Sequence, residues 1–237
     1  MAKDRGAGEE AFQKIIHLVL SHRLQPGDRI YETNLEKELA MSRTPIREAL
    51  NRLVSTGFME KQPGQRGYTI PLLSPDDMKE VFYTRIALER KAAKRAAKLR
   101  DSVYIEKLLE INREEELKYY AGEKDIYASL NESFHMAVAE MSGNKYLCRY
   151  IRQLFWRSNL YIFFFMRFYN IQNIGNEQPL EKTRLSYMEH RRIAEAIAGA
   201  DPAEAEKAMQ EHLIIAYHSM LNVRKDPDTS KEDFDLD

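Results

Sequence analysis

Three histidines fall where helical patterning calls for apolar residues. His190 lies between Ile193, Ala194 and Ile197, and His212 lies among Ala205, Ala208, Met209, Leu213 and Ala216. His135 borders the stripe of Tyr127, Phe134, Val138 and Met141, with Asn131 one turn earlier on the same side. One inward histidine is ordinarily a hydrogen-bonded core residue. Three from three helices of one bundle make a donor set for a divalent metal such as zinc, nickel or manganese, because clustered imidazoles repel protons and offer lone pairs. Pattern alone leaves convergence and separate burial equally open. His17, His22 and His218 do not combine this way. Arg85 and Glu89, one turn apart, lie in the stripe of Val81, Phe82, Ile86, Leu88, Ala92, Ala93, Ala96 and Leu99. Arg85 can hold an effector carboxylate through a bidentate contact, or it can be neutralised by Glu89. Both readings stand on these residues.

A second chemistry is carried by residues 42–53. At about 100° per residue, Ile46, Ala49, Leu50 and Leu53 share one side of a helix, and Arg43, Thr44, Arg47 and Asn51 share another. Ser42 is a candidate N-cap, and Pro45 is tolerated in a first turn. Two guanidinium groups, a threonine and an asparagine at a helix N-terminus suit guanine edges and phosphates. A solvated basic face is the plain alternative.

The surrounding elements decide between these two. Thr33-Asn34-Leu35-Glu36 reads as a capping box opening a helix through Ala40, and only Met41 and Ser42 separate it from the next helix. Gly57 ends that second helix. Residues 58–61 and 68–70 read as two strands joined by a turn-rich tip containing Arg66 and Gly67. The expectation is a winged helix-turn-helix, preceded by a frayed start over residues 1–8 and a helix from Glu9 to about Ser21. Pro71–Leu73 then links it to Ser74-Pro75-Asp76-Asp77, a helix start with cap serine, N1 proline and first-turn acids. From there only helical patterns follow, at about 75–99, 102–120, 124–141, 145–169, 181–199 and 202–223. The predicted fold class is therefore an N-terminal winged helix-turn-helix, α with a small β wing, followed by an all-α bundle. Domain bounds are 1–71, a linker at 72–75, a helical domain at 76–224 and an acidic disordered tail at 225–237. That tail carries six acids and two lysines.

Totals set the class. The chain has 237 residues and a net charge of −1, so no overall excess of base points to nucleic acid. Between Ala40 and Tyr68, however, five basic residues face two acidic ones, a local net of +3. One cysteine, Cys148, excludes an internal disulfide framework and suits a reducing cytoplasm. The longest apolar run, Leu160–Met166, is far too short to span a bilayer, so no membrane partner is expected. The segment Phe155–Tyr169 is aromatic on all sides and must be covered on more than one face. Tyr161 and Phe165 are its candidates for lining an effector cavity, with an apolar or aromatic guest.

The run Ser42-Arg43-Thr44-Pro45-Ile46-Arg47-Glu48-Ala49-Leu50, with Leu35, Leu39, Leu53, Gly57 and the wing ending Gly67-Tyr68, resembles the GntR family of bacterial transcription regulators. The resemblance implies that Ser42, Arg43, Thr44, Arg47 and Asn51 face the major groove of double-stranded DNA and that Arg66 and Gly67 approach the minor groove. Two positions depart from the family: Ala40 stands where glycine is frequent, and Thr33 where some members have arginine. Asn131-x3-His135, Gly143-Asn144, His190, His212 and Arg85-x3-Glu89 are similar to the FadR-type subfamily, whose all-helical FCD domain binds metal in many members. The resemblance implies a metal set of Asn131, His135, His190 and His212 and an effector site including Arg85, Glu89, Tyr161 and Phe165. Asn131 stands where those relatives usually carry aspartate, which predicts weaker metal retention and a site more inviting to an anion.

The expected function is a ligand-responsive transcription regulator, acting as a repressor, in which a homodimer binds a short inverted repeat and a small carboxylate enters near the histidines. No enzyme activity is expected: three histidines and a water make a hydrolytic zinc site, but Glu89 is the only inward carboxylate for which the pattern argues, and Arg85 stands beside it to pair with it. The alternatives are a metal-dependent hydrolase, and a DNA-binding protein whose helical domain only dimerises.

Overall fold

The computed structural model describes residues 2–165, 185–221 and Phe234. The first domain comprises α1 (Ala2–Leu20), β1 (Arg29–Ile30), α2 (Glu32–Leu39), α3 (Arg43–Ser55) and β2 (Tyr68–Thr69). Helix α1 buries Phe12, Ile15, Ile16 and Val19 and packs against α3, which buries Ile46, Ala49, Leu50 and Leu53. Arg52 fastens the pair: its guanidinium lies 3.7 Å from the Phe12 ring centroid and donates to Glu9 at 2.6 Å.

Three local expectations change. Helix α1 reaches back to Ala2 rather than fraying before Glu9; once the buried turns are nucleated, each added residue gains one backbone bond. The capping box does not form, because α2 begins at Glu32, where the Tyr31 carbonyl already accepts from the N–H groups of Asn34 and Leu35. Ser42 holds the N-cap position of α3 in extended backbone, but its side chain makes no capping bond.

The wing is also built differently. The segment at 58–61 contributes a single bridge, Glu60 to Thr69, while β2 pairs antiparallel with β1 in the register Arg29↔Thr69 and Ile30↔Tyr68. Gly67 makes the crossing possible. Its φ is +93°, and a Cβ there would stand 2.8 Å from the Ile30 carbonyl oxygen.

The second domain comprises α4 (Pro75–Leu99), α5 (Ser102–Ala121), α6 (Lys124–Met141), α7 (Lys145–Phe165), α8 (Ser186–Ala198) and α9 (Pro202–Met220). Its boundaries follow local chemistry. The Ser74 hydroxyl accepts from the Asp77 N–H, the Asp101 carboxylate from Val103 and Tyr104, and the Asp201 carboxylate from Ala203 and Glu204. Helix α4 is the centre of the bundle, in contact with α6, α7, α8 and α9. The predicted continuation of α7 to 169, the loop around 170–179 and helical residues 181–184 lie outside the described residues, as does nearly all of the tail. Phe234 is the exception: it is buried, with its ring 4.9 Å from Tyr217, so at this position the tail is packed rather than solvated. Among the described residues no helix is long and apolar enough to cross a membrane.

The two domains meet on α7. Trp156 packs edge-to-face with Phe12 at 5.1 Å and with Phe58 at 5.6 Å, and Phe163 also packs on Phe58. Gln153 donates to the Ser55 carbonyl at 3.3 Å. Arg157 reaches the linker, donating to the Leu72 carbonyl at 3.5 Å, and is held there by the Asp77 carboxylate of α4 at 2.7 and 3.0 Å.

Candidate functional site

On the outer face of α3, Arg43, Thr44, Arg47 and Asn51 are exposed together with Ser42, and Arg66 is exposed on the wing beside half-buried Gly67. The structure thus brings together the residues chosen for that face. It adds a brace that the sequence reading missed. Glu32 of α2 accepts from Arg47 at 2.9 and 3.1 Å and lies 3.8 Å from Arg43, which donates to Glu36 at 3.1 Å. The Arg47 hydrogen bond is the main cause holding the Glu32 carboxyl below its usual range, against the opposing effect of burial. Arg29, also missed, donates to the Arg66 carbonyl at 3.1 Å and the Gln65 amide oxygen at 2.7 Å, tying the wing tip to β1.

The three histidines converge. His135 of α6, His190 of α8 and His212 of α9 are all buried. The Nε2 of His212 lies 3.3 Å from that of His190 and 3.4 Å from that of His135. Imidazole nitrogens at zinc-ligand distance, about 2.0–2.1 Å, stand about 3.3–3.4 Å apart in a tetrahedral shell. Each opposite nitrogen is held by a glutamate: His135 Nδ1 by Glu89 at 2.5 Å, His190 Nδ1 by Glu115 at 2.8 Å and His212 Nδ1 by Glu189 at 2.8 Å. An ionised carboxylate only accepts, so it places the proton on Nδ1 and turns the Nε2 lone pair to the common centre. Glu89 is held in this form by Arg85, and a cation at the centre would favour it for Glu115, which burial alone raises. Lone pairs facing one another at this distance call for a cation. The Phe134 ring stacks on His190 at 4.0 Å and fixes its plane.

Asn131, one turn before His135, has a side-chain oxygen buried without a hydrogen bond. A buried acceptor left unpaired is costly, and a metal is a natural partner. The three imidazoles therefore fit a divalent cation, and the unpaired Asn131 oxygen, one turn before His135 on α6, is the candidate fourth donor.

The ionisation of the site follows from burial and neighbours. Burial pushes His135 down to about 3, and burial with the nearby His212 pushes His190 well below its ordinary value. Both rings are neutral near pH 7, as metal ligands must be. Burial works to raise Glu89, but Arg85 and His135 outweigh it and hold the carboxyl down to about 2. Burial raises Glu115 to about 8 against the Asn112 side chain.

Arg85 is paired internally. It donates to Glu89 at 2.6 Å and to the Ser158 hydroxyl at 2.7 Å, and is 1 % exposed. Tyr161 and Phe165 stand elsewhere than expected. The buried Tyr161 hydroxyl donates to Asp77 and accepts from the Ser74 N–H, while Phe165 stacks on Tyr161 and is half exposed. The structure places them at the domain junction, because residue 161 falls on the side of α7 that faces the start of α4. Phe155, whose ring lies 5.3 Å from that of His135, takes the place beside the histidines instead.

Residues 80–214 match the family model described as the FCD domain, and residues 7–68 match that described as bacterial regulatory proteins, gntR family. The chain belongs to the GntR family. It shares 28% identity over 210 residues with the Nta operon transcriptional regulator of Aminobacter aminovorans, covering 87% of this chain and 90% of that one. With the HTH-type transcriptional regulator McbR of Escherichia coli it shares 33% over 137 residues, 56% of this chain and 60% of that protein. The solved E. coli McbR/YncC structure superposes with a TM-score of 0.68 at 24% identity, covering 90% and 97% of the two chains, and has the same fold. As a GntR protein with an FCD domain, the chain is a DNA-binding transcription regulator that responds to a ligand.

Proposed function

We propose that this regulator is a homodimeric repressor that binds a divalent metal at Asn131, His135, His190 and His212 and releases an inverted-repeat operator when a small carboxylate enters beside them. The observation that carries the metal reading is the set of three Nε2 atoms facing one centre, each opposed by a glutamate on Nδ1. A divalent cation held there supplies a Lewis-acidic partner for a carboxylate. DNA contact falls to Ser42, Arg43, Thr44, Arg47, Asn51, Arg66 and Gly67, with the arginines reading guanine edges or clamping phosphates. Two-fold protein symmetry implies a two-fold operator. Val103, Leu117 and Tyr120 on α5 are exposed apolar side chains that a second subunit can use. A repressor of this kind works in the cytoplasm and without turnover; the similarity to named transcription regulators supports that over the hydrolase alternative.

Helix α7 supports the link between site and DNA. One side carries Phe155 beside His135 and Ser158 bonded to Arg85, and the other carries Gln153, Trp156 and Phe163 against the first domain. A guest that shifts Phe155 or Arg85 therefore moves the platform on which the recognition helix rests. For this to regulate, the guest must bind the two arrangements with different affinity. Native mass spectrometry of the freshly purified protein tests the assembly and the site together. Two chains carrying extra mass for a metal are expected. A bare species that stays bare after incubation with zinc and nickel contradicts the metal reading.

A further inference from the structure

We infer that Glu89, Glu115 and Glu189 are positioning residues that give the metal site the negative charge its inner donors lack, so that outer carboxylates rather than residue 131 set metal affinity. This rests on the metal reading above and deepens it. The inner donors are three neutral imidazoles and a neutral amide, and a bare dication among neutral ligands in a protein interior is poorly compensated. The structure surrounds it with compensation one bond further out. Each imidazole has its own glutamate, from three different helices: Glu89 on α4, Glu115 on α5 and Glu189 on α8. A carboxylate on Nδ1–H makes Nε2 a stronger donor as well as orienting the ring.

The charges also balance. Glu89 is neutralised by Arg85 at 2.6 Å. Among the described residues no lysine or arginine pairs with Glu115 or Glu189, which stand against His190 and His212. Glu189 keeps its second oxygen buried without a hydrogen bond. Once a dication stands at the histidines and favours the ionised form of both carboxyls, Glu115 and Glu189 leave two uncancelled charges, equal and opposite to it. Asn131 is then suited to the site, because an aspartate there would add a third uncancelled charge.

Zinc affinity of the full-length protein, measured by competition with a chromophoric chelator, tests this. Glu115→Gln and Glu189→Gln remove charge while retaining a side-chain oxygen for Nδ1–H. Each is expected to weaken zinc about 10- to 100-fold and to alter the absorption bands of the cobalt-substituted protein. Asn131→Asp is expected to gain less than about tenfold in the wild-type background and more in Glu189→Gln, a non-additivity that marks shared charge. Unchanged affinity in both glutamine variants overturns the inference and leaves the metal reading standing. So does a gain of about 100-fold or more for Asn131→Asp alone, a nearly isosteric change that keeps the test open if the glutamine variants fail to fold. A wild-type protein that takes up no zinc, nickel or manganese overturns both.

Discussion

Glu32 sets the terms on which α3 meets DNA. Its carboxylate holds Arg47 by two hydrogen bonds and stands near Arg43 and the Tyr68 hydroxyl, so it joins α2, α3 and the wing. Its arginine partners are largely exposed, and their pairing contributes little to stability; orientation is the stronger effect. Glu32→Gln is expected to tighten binding to random duplex, by adding positive charge, and to lower the ratio of specific to non-specific affinity. A ratio unchanged in an anisotropy titration at fixed salt would remove Glu32 from recognition. Arg43→Ala should cost about 1–3 kcal/mol of specific affinity if the side chain reads a base. Gly67→Ala combines a positive φ with a close approach to the Ile30 carbonyl, and is expected to cost about 1–3 kcal/mol of stability, read as a lower urea midpoint. Legibility in the sequence was uneven at this scale. The histidines stood out because each interrupts an apolar stripe. Glu115 was legible in principle, since it continues the stripe Leu108-Ile111-Asn112 at helical spacing and all four are buried. It was hidden by Glu114 and Glu116, which look the same but are exposed and half-buried respectively. Glu189 has no such signal; its role exists only because α8 and α9 meet.

Among the elements, α7 carries the most consequence. Ser158→Ala would leave the Arg85 Nη1 donor buried without its 2.7 Å partner, costing about 1–3 kcal/mol. If α7 transmits the signal, the same change also reduces the effect of site occupancy on operator affinity. A thermal melt and an operator titration with and without zinc separate the two effects. Full stability loss with unaltered response would assign Ser158 to packing alone. Helix limits were readable where capping is local: Ser74, Asp101, Gly122 and Asp201 each fix an end through bonds within a turn or so. Strand β1 was not readable, because two residues carry no period and its partner lies about 40 positions away in the chain. The sidedness of the aromatic helix was equally illegible. When every face is apolar, periodicity cannot say which ring meets which neighbour, and so Tyr161 rather than Phe155 was assigned to the cavity.

For the whole molecule, the arrangement places a charge-compensated histidine centre on one side of α7 and an arginine-bearing recognition helix beyond the other. Net charge near zero says nothing of this; it averages over the local net of +3 that residues 40–68 carry. The central claim is that the α3 face reads a two-fold DNA site. The direct measurement is selection from a random duplex pool by the full-length protein, in parallel with Arg47→Ala. The account predicts enrichment of a short inverted repeat by the wild-type chain and its loss or relaxation in the variant. The same repeat enriched equally by both proteins would contradict it.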